Sequence, residues 1–365
     1  MINIIPDGTE KIIFSLRSLY GRYGYSRYKM NKFEEYDLYA HNKDFLISDS
    51  VITFTDGNGK LLALKPDVTL SIVKNTADTA DSLQKVFYNE NVYRVAKGGR
   101  NFKEIMQVGL ECIGNVDAYC ICEVLKLALK SLDTIHPSNV LAVSHLGVLT
   151  EAMAYAGVPE DKRGEILHYI GEKNLHELTA FLHQIGVEED KAQIIKYLLS
   201  IHGSVADVLP GLLAATKGII SEKTERELSA VLGALKNEKK LLIDFSVVGD
   251  INYYNGFVFK GFVESIPTGV LSGGQYDKLM QKMARRSGAV GFAVYLDAVE
   301  QFFRQSAEYD VDRVLVYSAA DDPAEVSGAV EGLAADGDRV LAVISVPENV
   351  RYRELYHLQN GRAVK

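Results

Sequence analysis

Nine residues of the chain could share one piece of chemistry: Asp67, Thr69, Arg94, Gln107, Glu111, Tyr253, Tyr254, Tyr276 and Asp277. Each falls at or near the end of a strand suggested by its neighbours. The most informative stretch is 91–114, NVYRVAKGGRNFKEIMQVGLECIG, where two apolar runs flank the polar loop 97–101. That pattern predicts an antiparallel pair of strands. Along the second run Ile105, Gln107, Gly109, Glu111 and Ile113 share one face, and Met106, Val108, Leu110 and Cys112 share the other. A carboxamide and a carboxylate around a bare glycine make a poor core, because each buried polar group needs a partner. They make a good floor for a small-molecule pocket.

Carboxylates, an amide and tyrosines over such a floor suit a ligand with an ammonium at one end and a ring carrying N–H donors at the other. Gln107 and Glu111 lie roughly 13 Å apart along an ideal strand, far enough to hold the two ends. Free histidine has that shape.

The surrounding elements follow from period and punctuation. A helix is expected over 11–20 with Asp7 or Thr9 as its cap, and a hairpin over 51–55 and 61–64 around Asp56-Gly57-Asn58-Gly59. Pro66 stops that second strand, and Asp67 and Thr69 can cap a helix over 70–76. A helix over 118–132 and a strand over 139–144 come next. From 149 to 240 amphipathic helices succeed one another, broken by turns at Gly157-Val158-Pro159, Gly186-Val187 and His202-Gly203-Ser204. Strands return over 241–248, 251–259 and 269–274, then 289–292, with helices from Tyr276 and over 294–303. Beyond Ser306, residues 313–318, 323–335 and 339–345 read β-α-β, and the last twenty residues have no clear period. The expected organisation is an α+β core of an antiparallel sheet flanked by helices (1–148 and 241–305), a helical insertion (149–240) and a small α/β appendage (306–365).

With 365 residues, 47% apolar and 24% charged, the chain can bury ample core. A net charge of −8 argues against broad affinity for nucleic acid. No run approaches the ~18 apolar residues of a membrane span, and the first residues lack the pattern of a signal peptide. A cytoplasmic protein is expected. The three cysteines lack zinc-ligand spacing, so packed, reduced thiols and no metal are expected. Gly273-Gly274 and the other glycine pairs match neither a phosphate loop nor a dinucleotide turn, and no triad or His-Glu-x-x-His is present. No cofactor is implied.

Several segments, taken in order, carry a resemblance to the class II histidyl-tRNA synthetase family over roughly residues 6–301. Leu64-Lys65-Pro66-Asp67-Val68-Thr69 resembles the Leu-Arg-Pro-Glu/Asp-x-Thr segment, and 91–114 resembles motif 2, with Arg94, Glu104, Gln107, Gly109 and Glu111. Residues 251–259 resemble the Tyr-Tyr segment, Gly273-Gly274-Gln275-Tyr276-Asp277 the Gly-Gly-Arg-Tyr-Asp turn, and 288–296 the start of motif 3. The motif 1 proline is replaced by Asn31. The resemblance implies that Asp67, Thr69 and Gln107 face an α-amino group, that Glu111 and Tyr254 face an imidazole, and that Arg94 faces a carboxylate or phosphate. Tyr253 and Tyr276 complete that histidine side.

The phosphate side departs from the pattern. The arginine ahead of the Tyr-Tyr segment is Gly249, and the motif 3 arginine is Ala298. Deleting a fixed donor to developing negative charge costs on the order of 10²–10³ in rate. The resemblance therefore points to the catalytically silent branch, whose members act as regulatory subunits of ATP phosphoribosyltransferase. It implies a short-form catalytic subunit as partner, a homodimer within a hetero-oligomer, and free histidine as the sensed ligand. A divergent synthetase or related amino-acid ligase, drawing cations from Lys65, Arg100 or Arg285, is the alternative.

Overall fold

The computed structural model describes residues 8–42, 51–77, 83–95, 101–249, 253–306, 309–335 and 337–365, without the side chains of 301 and 303–306. Asp7, most of the 97–101 loop with Arg100, and residues 251–252 lie outside that set. The chain divides into two compact units, Ile12–Val299 and a second made of Met1–Lys11 with Glu300–Lys365.

The first unit is built on a nine-stranded sheet. Its order is Ser26–Arg27, Leu83–Val95, Phe102–Gly114, Gly288–Tyr295, Leu271–Gln275, Phe257–Val263, Asn139–His145, Leu241–Asp244 and His202–Ser204. The central strands are antiparallel as expected, but Ser26–Arg27 beside Leu83–Val95 and Asn139–His145 beside Leu241–Asp244 are parallel. The sheet is therefore mixed. The second parallel pair is possible because the chain leaves after His145 and returns only after a long helical excursion, the kind of crossover a parallel pairing requires.

Pairing in register lays three rows across the open face. One is Glu111, Gly291, Gly274 and Val258, the next is Gly109, Ala293, Ser272 and Lys260, and the third pairs Gln107 with Tyr295. On the opposite face Leu110, Phe292, Gly273 and Phe259 form a matching row, packed with Phe87 and Tyr20. Helices Gly8–Arg22 and Ala118–Ile135 belong to that side, joined by the buried Tyr20 hydroxyl and Ser131 Oγ at 2.9 Å. Asp117 starts the longer helix by accepting the Cys120 N–H.

A three-stranded sheet of Phe33–Glu35, Leu61–Leu64 and Thr53–Thr55 leads through Pro66 into the helix Thr69–Asn75. Ala63, Val68, Leu70, Ile72 and Val73 pack there with Tyr88, Tyr276 and Ala289, which seats the helix against the open face. Within 149–240, helices such as Glu189–Ser200, Val205–Thr216 and Glu222–Ala234 dominate. The turn expected at His202-Gly203-Ser204 is instead a short strand on the sheet edge. No helix among the described residues is long and apolar enough to cross a membrane.

The second unit carries the sheet Val340–Val343, Val311–Val316, Tyr352–Gln359 and Arg362–Val364, with helix Pro323–Ala334 packed through Leu333 and Ala329 on Leu315. The last twenty residues, aperiodic in sequence, thus form a hairpin. Its two-residue turn is Asn360-Gly361, both with positive φ, as a type I′ turn requires.

Candidate functional site

The open face of the large sheet holds a cavity of about 550 Å³. Asp67, Thr69, Arg94, Gln107, Glu111, Tyr253, Tyr254 and Tyr276 all line it, although they come from four separate stretches of chain. Asp277 does not. Its carboxylate accepts the Asn255 amide and the Ala289 N–H, both at 3.0 Å, and its N–H donates to Asn255 at 2.8 Å. It braces the turn rather than facing the cavity.

Glu111 is the electrostatic centre. It is 2% exposed, and it accepts hydrogen bonds from the Tyr276 hydroxyl at 2.6 Å and the Thr69 hydroxyl at 3.0 Å. Burial pushes its carboxyl up to about 8, against those two hydrogen bonds, with Asp67 adding to the rise. Two glycines make its position possible. A Cβ on Gly291, its cross-strand partner, would collide with the Glu111 carboxylate, and a Cβ on Gly109 would collide with the Tyr88 hydroxyl and the Phe292 carbonyl.

Asp67 does the capping expected of it, accepting the Leu70 N–H at 2.9 Å, while Thr69 turns to Glu111 instead. Burial raises the Asp67 carboxyl as well, opposed by Arg94 and by the Leu70 and Thr69 amides. Arg94 is drawn to this wall: its Nε donates to the Pro66 carbonyl at 2.7 Å, and its Nη2 lies 3.6 Å from Asp67. Tyr253 and Tyr254 do not continue a strand as their sequence suggests. They precede the strand Phe257–Val263, with ring centres 4.6 Å apart and planes tilted by 57°, and Tyr253 also lies 5.7 Å from Tyr276. Gln107 is 3% exposed, and its Nε2 has no hydrogen-bond partner.

Tyr88, Lys260, Ser272 and Tyr295 line the cavity without having stood out in the sequence. Tyr88 could have been found from its cross-strand partner, since Gly109 is bare because of it. The two positions that carry arginines in the resemblance hold no cation here. A Cβ on Gly249 would sit 2.6 Å from the Tyr254 ring, and Ala298 lies in helix Leu296–Ser306, off the cavity lining. Of the alternative cations, Arg100 lies outside the described residues and the other two are engaged elsewhere. Lys65 is buried in a 2.5 Å ion pair with Glu90, and Arg285 donates to the Val73 and Lys74 carbonyls at 3.1 Å.

Known proteins give this geometry a context. An ATP phosphoribosyltransferase regulatory subunit from Clostridium kluyveri is 25% identical over 99% of this chain and 98% of its own length. A histidine–tRNA ligase from Methanocaldococcus jannaschii is 29% identical over 81% of this chain and 73% of its own. A solved ATP phosphoribosyltransferase regulatory subunit/histidyl-tRNA synthetase from Bacillus halodurans shares the fold with a TM-score of 0.71, at 21% identity over 98% of both chains. A chain of the ATP phosphoribosyl transferase (HisG:HisZ) complex from Thermotoga maritima gives 0.61, at 19% identity over 80% of this chain and 98% of that one. The histidyl-tRNA synthetase family model matches residues 7–299, the span that contains the whole cavity. The chain belongs to the histidyl-tRNA synthetase family.

Proposed function

We propose that this chain is a non-catalytic regulatory subunit of ATP phosphoribosyltransferase, binding free histidine in the cavity and passing its occupancy to a short-form catalytic subunit. The observation that carries the proposal is the contrast within one cavity. Glu111 is pinned by Thr69 and Tyr276 and the Gln107 amide is unpartnered, while a Cβ at 249 would already meet the Tyr254 ring. In this arrangement Glu111 receives the imidazole and Gln107, Asp67 and Thr69 the ammonium end. Arg94 takes the carboxylate.

Burial without a cation makes Glu111 a weak acid, so a cationic or N–H-bearing ligand gains most by meeting it as a carboxylate. Feedback through such a site requires that histidine bind the active and inhibited states of the assembly differently, typically by ~1–3 kcal/mol. The names of the Clostridium relative and the Thermotoga complex support the choice of partner. The name of the Methanocaldococcus ligase supports the alternative of amino-acid activation.

Two measurements on the purified chain separate these. Calorimetry with free histidine should show binding, and histidine-dependent ATP–pyrophosphate exchange should stay at background. Clear exchange would overturn the regulatory assignment. Reconstitution with a short phosphoribosyltransferase should then give activity that depends on this chain and responds to histidine.

A further inference from the structure

The cavity has a second end. Its volume of about 550 Å³ falls in the range that holds drug-sized ligands, more than one amino acid fills. The contacts proposed for histidine lie along the strand Phe102–Gly114 and under the Tyr253–Tyr254 wall. Three strands across from Gly109, roughly 14 Å at ~4.8 Å per strand, the floor reaches Lys260 on the strand Phe257–Val263. Lys260 and Ser272 are direct cross-strand partners, so their side chains leave the sheet side by side on the cavity face. Thr268 and Gly269 line this end from the connection ahead of the strand Leu271–Gln275, and Tyr295 lines it from the end of the strand Gly288–Tyr295.

The lysine has a laid-down stem. A Cβ on Gly269 would stand 2.3 Å from its Cε and 2.9 Å from its Cγ, so the chain of methylenes crosses the bare glycine. Its Nζ lies 5.5 Å from the centre of the Phe262 ring, two residues on and on the same face of the strand. Among the described residues no carboxylate pairs with this ammonium, and none bonds the hydroxyls of Ser272, Thr268 or Tyr295.

The charges of the lining are thus sorted. Both carboxylates, Asp67 and Glu111, stand with Arg94 and Thr69, and Arg94 is turned to Pro66 and Asp67. The far end offers one positioned positive charge beside three hydroxyl donors. A phosphate suits that set better than a carboxylate does, because it brings more negative charge and three acceptor oxygens, and lysine meets it as a point charge. The charge also comes from within the sheet, not from 249 or 298 where the resemblance has its arginines.

We propose that the Lys260 end of the cavity is a subsite for a phosphate group, carried by a small diphosphate or sugar phosphate that binds beside the amino-acid end. Lys260 supplies the charge, Ser272 and Thr268 the nearest donors, and Gly269 the gap across which the lysine stem lies. The cavity of the function proposed above then receives two ligands at once. The subsite shares that cavity but does not depend on histidine being the other occupant.

The test is calorimetry on the full-length protein at low ionic strength, first without histidine, using pyrophosphate, ribose 5-phosphate and acetate as probes. At least one phosphate compound should bind and acetate should not, and the tighter of the two tells a diphosphate from a sugar phosphate. Lys260→Met should weaken that ligand about tenfold, and Gly269→Ala, which keeps the charge but displaces the stem, about threefold. Lys236→Met removes the same charge from an exposed position in another part of the chain and should change nothing. Absence of heat with both phosphate compounds, equal binding of acetate, or equal weakening by Lys236→Met overturns the proposal. Repeated with saturating histidine, the phosphate ligand should bind no more weakly; strict competition would put both ligands in one place and remove the second subsite. If the phosphate compound binds through Lys260 while histidine gives no heat of its own, the subsite stands and the histidine assignment falls.

Discussion

Glu111 on the cavity floor and Asp310, just ahead of strand Val311–Val316, each accept more than one short hydrogen bond, yet their acidities move in opposite directions. Asp310 takes the Arg351 guanidinium at 2.8 Å and the Arg351 N–H at 2.9 Å, in the open, and its carboxyl is held down to about 2, chiefly by that side chain. Glu111 has only neutral donors and is sealed from water, so burial carries it up to about 8. Asp312 is likewise held below the usual range by Arg339, and Asp338 sits in ion pairs with Arg313 and Arg353. An acid that already has its cation contributes to shape and solubility. A buried acid without one is a candidate ligand site.

The largest test of this contrast is pH. Glu111 has a folded value above the usual carboxylate value, so its contribution to the ligand-free fold is fully present below about 4.5 and is lost as pH rises through about 8. Urea unfolding should show stability of the first unit falling across that window by on the order of 4 kcal/mol. Glu111→Gln should flatten the fall. Asp310 has the opposite sign: its contribution is present above the ordinary carboxylate range and is lost only as pH drops through about 2.

Next in size is binding itself. Glu111→Ala should weaken histidine about a hundredfold by calorimetry, as expected when one partner of a buried charge pair is removed, and Asp310→Ala should leave the affinity unchanged. Equal effects would erase the distinction between the two acids. Gly291→Ala should cost about tenfold in affinity, because its Cβ takes the space of the Glu111 carboxylate. The smallest change belongs to the surface network. Asp310→Asn should shift the melting temperature by no more than about 2 °C at neutral pH, as for other exposed ion pairs.

Much of the site was legible because strand alternation is strict. Gln107, Gly109 and Glu111 had to share a face, and a polar pair around a glycine could be read as a floor before any partner strand was known. The Asn360-Gly361 turn was equally legible and passed unread, since the strands beside it alternate too weakly to announce themselves. The short strand His202–Ser204 carried no local signal at all: three residues at a sheet edge are strand only because Leu241–Asp244 lies beside them.

Sequence alone determined which side chains could meet a ligand, which faces of their strands they occupy, and that cations are missing at 249 and 298. Those are properties of residue type and period. Tertiary structure decided what each group does once gathered. It gave Thr69 and Tyr276 to Glu111, turned Asp277 away to brace Asn255, drew Arg94 to Pro66 and Asp67, and left the Gln107 amide without a partner. Hydrogen-bond partners and burial depend on elements that lie far apart along the chain, and those two set whether a carboxyl becomes a finished ion pair or a receptor.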